Sequence, residues 1–296
     1  MEKKSYWYLA SYPKSGNTWC RVFIAEIIRL KGNKSFSKSL NIDSNLDQFK
    51  LNRDLGTGSI VSNREWFDDL IGYDSSDLTH EEVDILRPRT KGIAPIYYEG
   101  KRYHKVHDAY NFYSTSSKRL IPIENCKGAI YILRNPADIA VSMKYFFSWD
   151  IDKCVEYLLD KNAYLCDSRT VGGKQLRQYL GTWHDHVNSW VTQKDIPLKI
   201  IFYEDLLQKP KFYFKEIASF LNLASDENLI EKAIENSSFT NLSKKETEEG
   251  GFCEKLDGCK KFFRSGVSGE GEKELTKIQL EKIKETIKFL KIKTNY

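Results

Sequence analysis

Tyr6-Trp7-Tyr8-Leu9-Ala10-Ser11-Tyr12-Pro13-Lys14-Ser15-Gly16-Asn17-Thr18-Trp19 is the stretch that decides the fold of this 296-residue chain. Tyr6 to Tyr12 is short, aromatic and apolar, which suits a buried strand. Gly16 punctuates it, and Thr18 to Leu30 then carries Val22, Ile24, Ala25, Ile27 and Ile28 at helical spacing. The opening is therefore strand, tight loop, helix. The first backbone N–H groups of a helix have no intrahelical partner, and the helix dipole favours an anion beside them. Gly16 lets the backbone approach that anion, Lys14 adds a full charge, and Ser15 and Thr18 add hydroxyl donors. The loop reads as a P-loop-like phosphate cradle. The plainer reading is an ordinary turn capped by Ser or Thr. It is not G-x-x-x-x-G-K-[ST], because its lysine precedes the glycine.

The pattern recurs down the chain. Ala129–Leu133 reads as a second buried strand, broken at Arg134-Asn135-Pro136 and followed by a helix over Ala137–Phe147, with Pro136 near its start. Lys199–Tyr203 reads as a third strand with a helix over Phe214–Leu221, and Arg102–Val106 as a short fourth. Strands alternating with helices predict a single α/β domain over 1–296, with a central parallel β-sheet flanked by helices and ligands at the carboxyl ends of the strands. Two stretches stand apart. Residues 31–100 are polar and weakly periodic. Residues 243–273 are rich in Gly, Lys and Glu and read as a long mobile loop over the site. Thr276 to Gln279 has the form of a capping box, with Ile278, Ile283, Ile287 and Leu290 expected on one helical stripe.

Hydrophobic residues are 41% of the chain and charged residues 29%, enough for a sizeable core under a solvated surface. The net charge of +5 suits a polyanionic small ligand, and the chain lacks the basic stripe of a nucleic-acid binder. No run approaches the ~20 apolar residues of a membrane span. The six cysteines form no C-x-x-C pair, which speaks against a metal site and for free thiols in a reducing, cytoplasmic setting; a Cys253–Cys259 bond stays open.

Several motifs carry a resemblance. Pro13-Lys14-Ser15-Gly16-Asn17-Thr18-Trp19 resembles the 5′-phosphosulfate loop, P-K-S-G-T-T-W, of sulfotransferases that use 3′-phosphoadenosine-5′-phosphosulfate (PAPS) and release adenosine 3′,5′-bisphosphate (PAP). Asn17 stands where that family has Thr. The resemblance implies that Lys14 contacts the sulfate-bearing phosphate and bridging oxygen, Thr18 binds phosphate, and Trp19 flanks adenine. Tyr131 to Ser142 is similar to the 3′-phosphate segment, with Arg134 at a strand end suited to bidentate contact and Ser142 on the next helix. Phe263 to Glu270 resembles the late R-K-G-x-x-G-D-W motif. Arg264, Gly266 and Gly269 match, while Ser265 replaces Lys and Gly271 replaces Trp. Phe202 to Leu206 and Ser237-Ser238-Phe239 are similar to smaller elements, in which Tyr203 lines the adenosine pocket and Phe239 contacts adenine. The resemblance runs from about Tyr6 to Leu275 and implies a cytosolic-type, small-molecule sulfotransferase that needs no metal.

Lys105-Val106-His107 resembles the K-T-H element of that branch. On a strand, positions 105 and 107 share a face. The chemistry needs a base for an acceptor hydroxyl, and an imidazole titrates near neutrality. Lys14 and Lys105 are expected to stabilise the charge that develops. His104 is expected on the opposite face; His184 and His186 lie in an expected helix, and His80 in an acidic stretch, so His107 is the expected base. That stretch, Arg64 to Leu86, holds Glu65, Asp68, Asp69, Asp74, Asp77, Glu81, Glu82 and Asp84. It reads as a solvated face. A sharper expectation is that one or two of these carboxylates select a cationic acceptor, such as a saxitoxin-type alkaloid. The K-x-x-x-T-V-x-x-x-E dimer motif is not reproduced, which leaves monomer or homodimer open. A kinase-like NTPase and a non-catalytic nucleotide-binding module are the alternative readings. The first would need its lysine after the second glycine, and the second would have no use for Lys105-x-His107.

Overall fold

The computed structural model describes residues 5–31, 61–87, 103–110, 120–167, 174–223, 226–252, 254–256, 258–294 and 296. Along these run β1 (Tyr6–Ser11), α1 (Asn17–Leu30), α2 (Arg64–Ile71), a 3-10 turn (Ser75–Asp77), α3 (His80–Leu86), β2 (Tyr103–Val106) and β3 (Cys126–Leu133). Next come α4 (Pro136–Phe147), α5 (Ile151–Leu159), the two-residue strands β4 (Tyr164–Leu165) and β5 (Gln178–Tyr179), α6 (Trp183–Val191) and β6 (Leu198–Phe202). The chain finishes with α7 (Tyr203–Gln208), α8 (Pro210–Phe220), α9 (Glu227–Asn236), α10 (Phe239–Glu248), α11 (Gly271–Glu274) and α12 (Lys277–Ile287).

Four parallel strands form the main sheet in the order β2-β1-β3-β6. Leu9 pairs with Lys105, Ser11 with Ile132, and Leu133 with Phe202, so the strands' carboxyl ends share one edge. Successive side chains of β1 go to opposite faces. Tyr6, Tyr8, Ala10 and Tyr12 join Tyr131, Trp183 and Trp190 in one core, while Trp7 and Leu9 join Phe23, Ile27, Phe214 and Ile217 in the other. Both faces are covered by helices, which is why these strands are apolar throughout. Each fully buried Leu, Ile or Phe contributes about 1.5–3 kcal/mol.

The α/β reading of the sequence holds, with three differences of detail. Tyr203 starts a helix instead of ending a strand. The capping box forms as expected, with the Thr276 N–H donating to the Gln279 side chain at 2.8 Å. Ile278 does not share the stripe, however. It is 68% exposed while Ile283 is buried. Five residues of helix turn the chain 140° past a full turn, so the two point apart.

The third difference concerns 243–273. Its first residues, Ser243 to Glu248, continue α10, and Gly271 already begins α11. Buried carboxylates hold the part between. Glu246 accepts from the Phe262 and Phe263 N–H groups at 2.7 and 2.9 Å. Asp138 accepts from Gly269 and Gly271, both at 2.8 Å. Phe252 and Phe263 pack with Val22 and Ala25 of α1 and Leu242 of α10. A composition rich in Gly, Lys and Glu suggested a long mobile loop, but Glu246 faces inward and caps backbone groups of the segment, and Asp138 of α4 does the same from outside it.

No helix among the described residues is long and apolar enough to cross a membrane. Cys253, residues 32–60 and residues 88–102 lie outside the described residues, so the Cys253–Cys259 pairing and much of the expected 31–100 acceptor region are not part of this description.

Candidate functional site

Each strand of the sheet delivers a polar group to the same edge. Beyond β1 comes the Pro13–Gly16 loop, beyond β2 His107, beyond β3 Arg134, and beyond β6 Tyr203. They surround a cavity of about 610 Å³. This is the crevice outside the strand ends where a ligand of an open parallel sheet binds.

The loop turns sharply. Lys14 has φ 69° and Gly16 φ 95°. A Cβ on Gly16 would lie 2.6 Å from the Tyr203 ring, so this position requires glycine on both counts. No side chain caps α1, which leaves its first N–H groups turned to the cavity end. Lys14, Gly16, Asn17, Thr18 and Trp19 all line the cavity, as do Lys105, His107, Arg134, Ser142, Tyr203, Phe239, Arg264, Ser265 and Gly266. Two residues expected in the site do not: Ser15 is buried behind the loop, and Ser238 stands at the N-terminus of α10.

Three buried donors near this loop have no hydrogen-bond partner: Ser15 Oγ, Trp19 Nε1 and Arg134 Nε. Buried polar groups are normally satisfied, and of these Trp19 and Arg134 line the cavity, where their free donors suit a ligand rich in acceptors. Arg134 donates through its terminal nitrogens to the Lys14 carbonyl at 3.0 Å and the Val267 carbonyl at 3.2 Å, while its guanidinium lies 4.4 Å from the centre of the Tyr203 ring. It ties the Pro13–Gly16 loop to the late segment and lines the cavity. Each terminal nitrogen uses one hydrogen in this way and keeps a second, so the bidentate contact expected from the sequence stays open to Arg134.

The Asn17 side chain turns away from the cavity toward β1. Its Nδ2 donates to the Leu9 carbonyl at 2.9 Å and to Ser11 Oγ at 3.3 Å. The substitution for Thr thus fastens the loop to its strand, and its contribution to a ligand falls to the backbone.

His107 is buried and its Nδ1 lies 2.7 Å from the Ser11 carbonyl. A carbonyl only accepts, so Nδ1 carries the proton and Nε2 is the basic nitrogen. Burial first, and then the Lys105 ammonium, push the His107 pKa well below the usual imidazole value. The other histidines have other roles. His104 packs edge-on against Tyr6 and outside the cavity. His184 lies 3.3 Å from Asp185, and His80 3.4 Å from Asp167. His186 Nε2 donates to the His107 carbonyl at 2.9 Å and its Nδ1 meets the Tyr131 hydroxyl at 2.8 Å, so it supports the backbone that carries His107.

The lysines differ. The Lys14 ammonium lies over the Phe146 ring at 3.6 Å and the Phe262 ring at 4.7 Å. Burial, aided by repulsion from Lys105 and Arg134, lowers its pKa to about 7. Lys105 instead meets the Glu254 carboxylate at 3.2 Å.

At the late motif Glu270 accepts from Arg264 at 2.5 Å and from Ser265 Oγ at 2.9 Å. Gly271 packs against α4: a Cβ there would lie 2.4 Å from that of Ala137. The Trp-to-Gly departure is therefore a close approach of two helices.

The acidic stretch from Arg64 to Leu86 contributes nothing to the cavity wall. Asp68 accepts from the Ser75 N–H, Asp74 caps the 3-10 turn, Glu82 completes a capping box with Thr79, and Asp84 pairs with Arg177. These are structural duties, and the expectation that these carboxylates select a cationic acceptor loses its support. Among the described residues the wall instead adds apolar and aromatic side chains to the polar ones above, namely Phe146, Phe147, Phe262, Phe263, Leu165 and Leu256. Sequence reasoning missed these residues together with Glu254, Asp138 and Glu246. Of these, Asp138 and Phe263 lie within matched motifs and carried a local signal.

A parallel α/β sheet with an uncapped helix start after its first strand, and a buried imidazole that shares its cavity with two lysines, suits a transferase with an anionic group donor. The sulfotransferase domain family model matches residues 6–294, and the chain belongs to that family. It is 26% identical to Sulfotransferase 1B1 of Mus musculus over 92% of this chain and 78% of that protein. A shorter match, 28% identical to mouse Sulfotransferase 1 family member D1, covers 54% of this chain and 53% of that protein. The crystal structure of retinol dehydratase in complex with androsterone and inactive cofactor PAP has the same fold, with TM-score 0.59 at 18% identity over 98% of this chain and 82% of that one.

Proposed function

We propose that this sulfotransferase moves the sulfonate group of PAPS onto a hydroxyl, or an amine, of a small acceptor, with His107 as general base. One observation carries the reading. His107, its tautomer set by Ser11, opens onto the same cavity as Lys14, Lys105 and a loop whose buried donors lack partners. On this reading Lys14, Gly16, Thr18 and the first amides of α1 hold the 5′ end, with Ser15 and Asn17 shaping the loop. Arg134, Ser142 and Arg264 hold the 3′-phosphate, assisted by the Ser265 hydroxyl and the Gly266 backbone. Trp19, Tyr203 and Phe239 flank the adenine, and Ser238 starts the helix that carries Phe239.

PAPS supplies a sulfonate on a good phosphate leaving group. Nε2 of His107 takes the acceptor's proton as its oxygen attacks sulfur. Lys105 and Lys14 meet the negative charge that gathers on the sulfonate oxygens and on the leaving oxygen. The apolar wall suits an acceptor with a flat or alicyclic apolar body and one reacting group, and retinol dehydratase, which holds androsterone, fits that character. A saxitoxin-type cation is disfavoured by the same wall. Cytoplasmic residence belongs to the same proposal, supported by the free thiols.

Thermal unfolding with PAP, ATP and NADP in parallel tests the donor. PAP at ~100 times its dissociation constant adds about 2.7 kcal/mol of stability. Selective stabilisation by PAP is expected. Stabilisation by ATP alone points to the kinase reading, and no shift with any of the three removes the donor assignment.

A further inference from the structure

A carboxylate is unexpected in a cavity suited to a polyanion, because it repels phosphate and sulfate groups. Glu254 nevertheless lines the wall, with its side chain only 10% exposed. Oε1 accepts from Arg21 of α1 at 2.5 Å, and Oε2 from Lys105 of β2 at 3.2 Å. Two buried cations on neighbouring elements would repel each other, and Glu254 sits between them.

The groups around the Lys105 ammonium come from several elements. Glu254 reaches it from the segment after α10, Arg21 from α1, Cys166 from beyond β4, His107 from its own strand end, and Lys14 from the loop. Burial pulls the Lys105 pKa down, Glu254 opposes this, and Arg21 adds to it. Lys14, whose ammonium rests on aromatic rings, shows how far a lysine here falls under burial.

We propose that Glu254 is a positioning residue for sulfonate transfer: held by Arg21, it grips the Lys105 ammonium and keeps it protonated and in place beside His107. What Lys105 does there rests on the sulfonate-transfer reading above; the grip itself does not.

The test compares wild type with Glu254→Gln and Arg21→Gln. Acetylation of Lys105 by acetic anhydride, followed by peptide mass spectrometry across pH, reads its titration directly. The midpoint is expected to fall by about one pH unit or more in Glu254→Gln and to rise in Arg21→Gln. A loosened fold would move both variants the same way. With PAPS and 2-naphthol, the alkaline limb of kcat is expected to follow the same opposite shifts, while the PAP dissociation constant of Glu254→Gln stays within about threefold or tightens. Identical midpoints in all three proteins, or shifts of the same sign in both variants, overturn the proposal. So does an unmoved kcat limb beside shifted midpoints. Opposite midpoint shifts in the two variants, together with a wild-type protein that binds no PAP, would keep the grip and reject the sulfonate-transfer reading.

Discussion

The His107 Nδ1–H donates to the main-chain carbonyl of Ser11 across 2.7 Å, and Ser11 is the last residue of β1, directly before the anion loop. The base and the loop are therefore fixed to the same strand end. Asn17 strengthens this connection from the loop side through Ser11 Oγ.

His107→Ala is expected to lower kcat by ~10²–10⁴ while leaving the PAP dissociation constant within about threefold. Burial and Lys105 keep the imidazole neutral through the neutral range, so the acid limb of kcat should lie below pH 6.5. Steady-state rates across pH and calorimetric PAP titration check both points. Undiminished turnover in the variant rejects His107 as the base.

Lys14 leads to a pH dependence of nucleotide binding. Its pKa of about 7 in the ligand-free protein means that at pH 8 most of it is neutral. A bound polyanion favours the ammonium, so PAP binding takes up protons above pH 7, and affinity falls as pH rises from 7 toward 9. Calorimetry at pH 8 in buffers of different ionisation enthalpy should show net proton uptake, and Lys14→Met should abolish it. Equal heats in all buffers would contradict the assignment.

The sequence carried the parts of this site that are local. A strand, a glycine turn and a helix are written in consecutive residues from Tyr6 to Leu30, and Arg134 and His107 each stand at a strand end within a short motif. What the sequence did not carry is long-range pairing. Glu254 meets Lys105 149 residues earlier, and Asp138 accepts from Gly269 131 residues later. Inward-facing acids such as Glu246 look like solvated charges until the backbone they cap is known. The Ile278 error has a different origin, since a stripe asserted over a five-residue interval did not match a 3.6-residue period.

Gly271 gives a stability prediction. Its missing Cβ lets α11 meet Ala137, with main-chain carbon of Ala137 2.5 Å from where that Cβ would be. Gly271→Ala is expected to destabilise the fold by about 1–3 kcal/mol through overpacking, and Gly271→Trp, which restores the residue typical of the resemblance, by more. Chemical denaturation measures both. Unchanged stability in the Trp variant would mean that the helices separate freely here.

Ser265 gives the last prediction, on binding. Its hydroxyl and Arg264 both donate to Glu270, so part of the positive charge at this end of the cavity is neutralised by the protein itself. Glu270 in turn is held below the usual carboxylate range: burial opposes ionisation, but bonding to Arg264 and Ser265 outweighs it. Ser265→Lys adds a cation beside this pair and gives Glu270 a second partner, which leaves Arg264 more of its charge for a phosphate. PAP affinity is expected to rise roughly threefold to thirtyfold at low salt, with a steeper loss as salt increases. AMP, which lacks the 3′-phosphate, should gain little. A parallel gain for AMP and PAP would place the new charge near the 5′ end and would remove Arg264 and Ser265 from the 3′-phosphate site.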